Sequence, residues 1–150
     1  MIKKSKSRRK LKYILNNLRE ADRQEMFELY GANWYSKTLN SIMKTDFVIG
    51  VSKRTGKPFA VFGHKAEFEK YGIIFLLSTP EIENKKFSLV RSAGIEISKI
   101  EKQYDMIFNF IHKSNFKMLK LLEQLDFKFL ECDRINYKFF YKRKILKGIG

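Results

Sequence analysis

Asp22 and Glu25 stand three residues apart in "LREADRQE", a spacing that puts two carboxylates on one face of a short helix. With His64 and His112 they are the side chains of this chain best suited to accept a proton. The competing reading of the carboxylates is a solvated acidic face, or an ion pair with Arg19 or Arg23. His112 closes an apolar run, Ile107 to Ile111, and stands just before Asn115, which places it at the mouth of a strand. Two distant histidines and one cysteine offer no metal-ligand spacing. No Walker loop, dinucleotide fingerprint or Gly-x-Ser-x-Gly elbow occurs. Cys132 has no disulfide partner, so a reducing compartment is expected, with the thiol structural in a buried strand.

The elements that must hold these residues alternate along the chain. Leu11, Ile14, Leu15 and Leu18 keep helical spacing, and Ala21 to Tyr30 repeats it before Gly31, a helix stop. Phe47 to Val51, the turn "KRTGKP", and Phe59 to Gly63 predict a hairpin. Ile73 to Leu77 is a continuous apolar run suited to a strand buried on both faces. A helix follows from Asn84, with Phe87, Val90, Ile95, Ile97 and Ile100 on its buried side. After the strand Ile107 to Ile111, apolar residues at Met118, Leu119, Leu121, Leu122 and Leu125 predict an amphipathic helix. Two strands from Phe127 complete the order. The expected core includes Phe75, Leu77, Ile107, Phe108, Leu121, Leu125 and Phe127. The 14 phenylalanines are read as core rather than as a base-stacking platform, because they fall at strand and helix spacing.

With 150 residues and 44% hydrophobic content, one domain with a single core is expected, over residues 13–142. No apolar run approaches the ~20 residues of a membrane span, so a soluble intracellular protein is expected. The net charge of +15 is concentrated at the ends: 12 of 31 basic residues lie in residues 1–12 and 138–147, leaving 19 against 16 acidic residues in the body. A basic N-terminal arm, 1–12, and a basic C-terminal tail, 143–150, follow. Such ends bind phosphate backbones weakly and without sequence preference, or are simply solvated.

The segment from Asn115 to Phe127 resembles the C-terminal half of the GNAT N-acetyltransferase fold, with Asn115, Leu121, Leu125 and Phe127 at matching positions. Leu122 stands where that family has tyrosine, and Asp126 where it has glycine. The resemblance implies an α/β (α+β) fold: a mixed, mostly antiparallel central sheet flanked by helices, its first strand missing or reduced to residues near Leu11. The pieces "NLREADRQEM", "GKPFAVFG", "IIFLLST", "KKFSLVRSAG" and "NFIHKSNFKMLKLLEQLDFKF", in this order over Asn17 to Tyr141, are more narrowly similar to the internal virion protein A family of T7-like phages. That implies a role in virion assembly or the internal core, other virion or assembly proteins as partners, and location in the host cytoplasm during infection and in the virion.

For GNAT chemistry the resemblance implies acetyl-CoA as cofactor. Leu76, Leu77, Ser78 and Thr79 would offer backbone groups to the pantetheine arm, Lys85 and Lys86 would meet the pyrophosphate, and Asn115 would line the cleft. Asp22, Glu25 and His112 would be the candidates for the base that receives the amine proton. Two parts depart from the pattern. The loop "TPEIENKKFSLVRSAG" has no glycine before Gly94 to let backbone N–H groups close on a pyrophosphate, and Leu122 cannot donate a proton to a departing thiolate. Three functions stay open: a virion-assembly protein with a degenerate acetyl-CoA site, an active acetyl-CoA-dependent N-acyltransferase, and a DNA-binding accessory protein acting through its basic ends.

Overall fold

A computed structural model describes residues 2–144, excepting the side chains of residues 2–5, 86 and 87. Lys147 and the rest of the tail beyond residue 144 lie outside the described residues, as do the side chains of Lys86 and Phe87. The class is mixed α/β with a mostly antiparallel sheet. The body expected over residues 13–142 falls into two compact units: Met1–His64 with Phe75–Ser92, and Lys65–Ile74 with Ala93–Gly150. Among the described residues no helix is long and apolar enough to cross a membrane.

The first unit begins with strand β1 (Ile2–Ser5), then helices α1 (Arg8–Asn16), α2 (Glu20–Tyr30) and α3 (Trp34–Met43). Strands β2 (Asp46–Ser52) and β3 (Pro58–Phe68) form the expected hairpin, and the second half of β4 (Tyr71–Ser78) completes the sheet order β1-β2-β3-β4. Gly56 turns the hairpin at φ +71°, a conformation that glycine adopts without steric cost. Helix α1 is capped by the Ser7 hydroxyl, which accepts the Lys10 N–H. Its apolar stripe, Leu11, Ile14 and Leu15, is fully buried in a cluster with Leu39, Ile42, Ile49, Val61 and Leu77.

Two sequence expectations differ from the structure, and one element is new. The short first strand lies at Ile2–Ser5 rather than near Leu11, and Leu11 belongs to a buried helix face. The stretch expected as a free basic arm through residue 12 instead supplies β1 and more than half of α1. Helix α3 was not anticipated, although Thr38, Leu39 and Ile42 carry the spacing that buries it.

In the second unit the sheet order is β4-β5-β7-β6, with β5 (Met106–His112), β6 (Lys128–Glu131) and β7 (Tyr137–Arg143). Strand β5 runs parallel to β4 and antiparallel to β7. Helix α4 (Lys86–Glu101) enters this unit at Ala93, and α5 (Phe116–Gln124) follows β5. Met118, Leu121 and Leu122 are buried, so the helical register read from the sequence holds. Ile97 and Ile100 are also buried, but Ile95 is 48% exposed, and Phe75, Phe108 and Leu125 are only half-buried. Cys132 is not in a strand: it follows β6, half-exposed, its thiol directed to the carbonyls of Arg134 and Tyr137.

Helix α5 ends in a Schellman motif. Phe127 N–H reaches the Leu122 carbonyl and Asp126 N–H the Glu123 carbonyl, while Asp126 holds φ +67°. The turn that glycine makes elsewhere is therefore made here by aspartate, a residue that tolerates the left-handed region better than most.

Candidate functional site

Within the first unit, the start of α2 and the end of β4 are locked together around Asp22. Arg19 donates to it through Nη2 at 3.0 Å and Nε at 3.3 Å. Ser78 donates its backbone N–H at 2.9 Å and its hydroxyl at 3.3 Å. The Arg19 N–H in turn donates to the Ser78 carbonyl at 2.8 Å. Arg19, Asp22 and Ser78 are 7%, 1% and 0% exposed. Burial pushes the Asp22 carboxyl above the ordinary aspartate range, against the pull of Arg19 and the two Ser78 donors. Of the two readings of Asp22, the ion pair with Arg19 is what forms. Arg23 pairs with Glu20, and Glu25 is half-buried one turn further on.

Ser78 and Thr79 commit their backbone donors internally. Ser78 N–H is bound to Asp22, and Thr79 N–H donates to the Phe59 carbonyl at 2.8 Å. Leu77 belongs to the main core cluster, and Leu76 packs with Leu89 against Phe59, Ala60 and Ile82. Beyond Thr79, whose hydroxyl accepts the Glu81 N–H, residues Pro80–Asn84 form a 3-10 turn.

Lys85 folds back onto this unit. Its Nζ donates to Ser52 Oγ at 2.9 Å, lies 3.9 Å from Glu81 Oε1 and sits 5.7 Å from the centroid of the Phe59 ring. Arg54 approaches the same Glu81 oxygen at 3.6 Å. Where the resemblance requires open backbone amides facing a pyrophosphate, the loop has a buried isoleucine, two glutamates and a lysine already engaged. Lys86 is the first residue of α4.

In the second unit, His112 Nδ1 is 3.1 Å from the Ser114 N–H and 2.7 Å from Ser114 Oγ. A backbone N–H can only donate, so Nδ1 is the acceptor and the neutral ring carries its proton on Nε2. The ring meets Tyr137 edge-on at 5.0 Å. Asn115, 5% exposed, precedes α5: its N–H donates to the His112 carbonyl and its carbonyl accepts from Leu119. The β4–β5 ladder contains three pairs, Tyr71↔Met106 to Ile73↔Phe108, and the Asn109 side-chain amide then donates to the Ile74 carbonyl at 2.6 Å.

Of the residues singled out from the sequence, Asp22 and Ser78 meet directly, and Thr79 and Lys85 lie in the loop that follows. His112 and Asn115 meet through the backbone at the head of α5. Arg19, Ser52, Glu81 and Asn109 were not singled out as site residues. Only Arg19 carried a readable signal, as one of two cations within reach of Asp22.

No protein-family model and no curated protein matches the chain. Solved structures do. PH1933 from Pyrococcus horikoshii OT3 superposes with a TM-score of 0.71 at 18% identity, covering 97% of this chain and 100% of that one. PaiA N-acetyltransferase from Thermoplasma acidophilum, solved in complex with coenzyme A, gives 0.67 at 13% identity, covering 95% and 99%. The ribosomal-protein-S18-alanine N-acetyltransferase from Escherichia coli gives 0.67 at 12% identity, covering 99% and 97%. At these identities the likeness is one of fold, and the fold is that of the GNAT N-acetyltransferases.

Proposed function

We propose that this chain uses the acetyltransferase fold as a scaffold in phage particle assembly, as an internal virion protein with a degenerate acetyl-CoA site. The observation that carries this reading is the closed loop after β4: Lys85 is held on Ser52 Oγ and the Ser78 N–H on Asp22. Groups already bonded inside the fold would have to break those bonds before meeting a cofactor. The resemblance of five sequence pieces to the internal virion protein A family supports this biological setting. Its partners are then other virion or assembly proteins, met in the host cytoplasm during infection and in the virion, with weak nucleic-acid contact through the basic ends.

A second reading, an acetyl-CoA-dependent N-acyltransferase, is favoured by the three-pair β4–β5 ladder and by a fold neighbour solved with coenzyme A. The resemblance would have the cofactor's pantetheine arm lie along the backbone of β4, with Ser78 and Thr79 as its donors and Lys85 and Lys86 beside the pyrophosphate. The half-buried Glu25 and His112 fit the base's role better than the enclosed Asp22.

Calorimetry with coenzyme A and acetyl-CoA separates the two readings. The scaffold reading expects no saturable heat. Micromolar binding that disappears in a Lys85→Ala, Lys86→Ala variant would favour the acyltransferase reading instead, and turnover of acetyl-CoA with an amine would establish it.

A further inference from the structure

The second unit gathers on one sheet face an aromatic array that is invisible in sequence order. Paired positions share a face, and the registers Phe108↔Tyr141 and Phe110↔Phe139 bring four rings together across β5 and β7. Phe139 lies 5.7 Å from Phe108, 5.4 Å from Phe110 and 5.8 Å from Tyr141, the last pair stacked. The reverse face holds the core, with Ile107, Ile111 and Phe140 at 1%, 3% and 6% exposure. On the array's side Phe110 is 36% exposed and Leu130, paired with Phe139 from β6, is 53% exposed, while Phe108, Phe139 and Tyr141 are half-buried.

Cationic side chains lie beside these rings. The Arg134 guanidinium covers the Tyr137 ring at 3.9 Å and lies 5.7 Å from that of Phe110. Lys128 pairs beside Tyr141, and Arg143 continues β7 opposite Met106. No acidic residue occupies a paired position of this face, since Glu131 sits at the opposite parity and binds Lys113. A second copy of the chain docking here would set Arg134, Lys128 and Arg143 against themselves. A polyanion with exposed π-faces meets both properties of the surface.

We propose that this face is a platform for single-stranded nucleic acid, with unpaired bases stacking on the rings of Phe110 and Phe139 and phosphates meeting Arg134 and Lys128. Stacking accepts any base, because every base has a π-face. A duplex, whose bases are already stacked on one another, fits only the charge. The proposal does not depend on whether the cofactor loop works.

The test is fluorescence anisotropy of the full chain with labelled oligo-dT and oligo-rU of about 15 nucleotides and with a duplex of equal length, at roughly 50 and 200 mM salt. Binding of a single strand in preference to the duplex is expected, the two homopolymers showing whether DNA or RNA is favoured. Phe110→Ala with Arg134→Ala should weaken it about tenfold or more while the thermal transition is retained. Leu130→Glu, at an exposed position, should weaken it without removing a ring. Neutralising Arg8, Arg9 and Lys12 on α1 should leave the preference for single strands unchanged. The proposal is overturned by absence of binding, by equal affinity for duplex, by loss only in the α1 variant, or by a dimer that Phe110→Ala dissociates.

Discussion

Ser78 donates its backbone N–H to Asp22 Oδ2 at 2.9 Å across 56 positions of sequence, joining the last residue of β4 to the first turn of α2. The bond accounts for a carboxylate that is 1% exposed at the start of a helix. Removing it strands a charge, because Arg19 is itself only 7% exposed. Asp22→Ala should therefore destabilise by about 3–5 kcal/mol, read from urea denaturation. A loss below about 1 kcal/mol, the range of exposed pairs, would show that Arg19 finds solvent instead.

The same residue sets a pH dependence whose sign can be worked out. Burial raises the Asp22 carboxyl above the ordinary value of 3.8, so the folded chain holds this proton more tightly than the unfolded chain. Its contribution is complete below about pH 4 and declines as pH climbs through the raised value. The difference in unfolding free energy between wild type and Asp22→Asn should fall over that window. A difference that grows with pH would mean that Arg19 and Ser78 outweigh burial.

Asp126 holds a left-handed conformation within a complete Schellman motif. Replacing it by glycine should stabilise the chain by up to about 1 kcal/mol, whereas Asp126→Val should cost about 1–2 kcal/mol. The midpoint of denaturant unfolding measures both. Equal midpoints for the two variants would refute the strain argument.

Gly63 in β3 has no room for a side chain: a Cβ there would run into the ring of Phe75. Gly63→Ala should cost about 1–3 kcal/mol, and pairing it with Phe75→Leu should recover part of that loss. Thermal unfolding of the single and double variants tests the contact.

Much of the fold was readable because single elements announce themselves by period. Helix α5 buries Met118, Leu121 and Leu122 at helical spacing, and Leu121→Ala should accordingly destabilise by about 2–5 kcal/mol. The hairpin was readable from Gly56 and Pro58 in its turn. What was hidden depends on partners distant in sequence. Nothing in "LREADRQE" reveals that Ser78 will close over Asp22, nor does the lysine after "TPEIEN" announce that Ser52 will hold it. Strand β1 escaped notice because two of its four residues are lysines, which rarely mark a strand. Alternation puts Phe108 with Phe110 on one side of β5 and Phe139 with Tyr141 on one side of β7, but only the pairing register brings the four rings together.

The position of β1 bears on how the chain behaves in concentrated solution. Ile2–Ser5 is the outermost strand of its sheet, laid along Ile49–Ser52. Strand β2 is rich in branched and aromatic residues, the composition that recruits further strands when its edge is bare. Four residues cover part of that edge through their backbone ladder. Trimming the first five residues would therefore be felt as precipitation, well before any loss of the core.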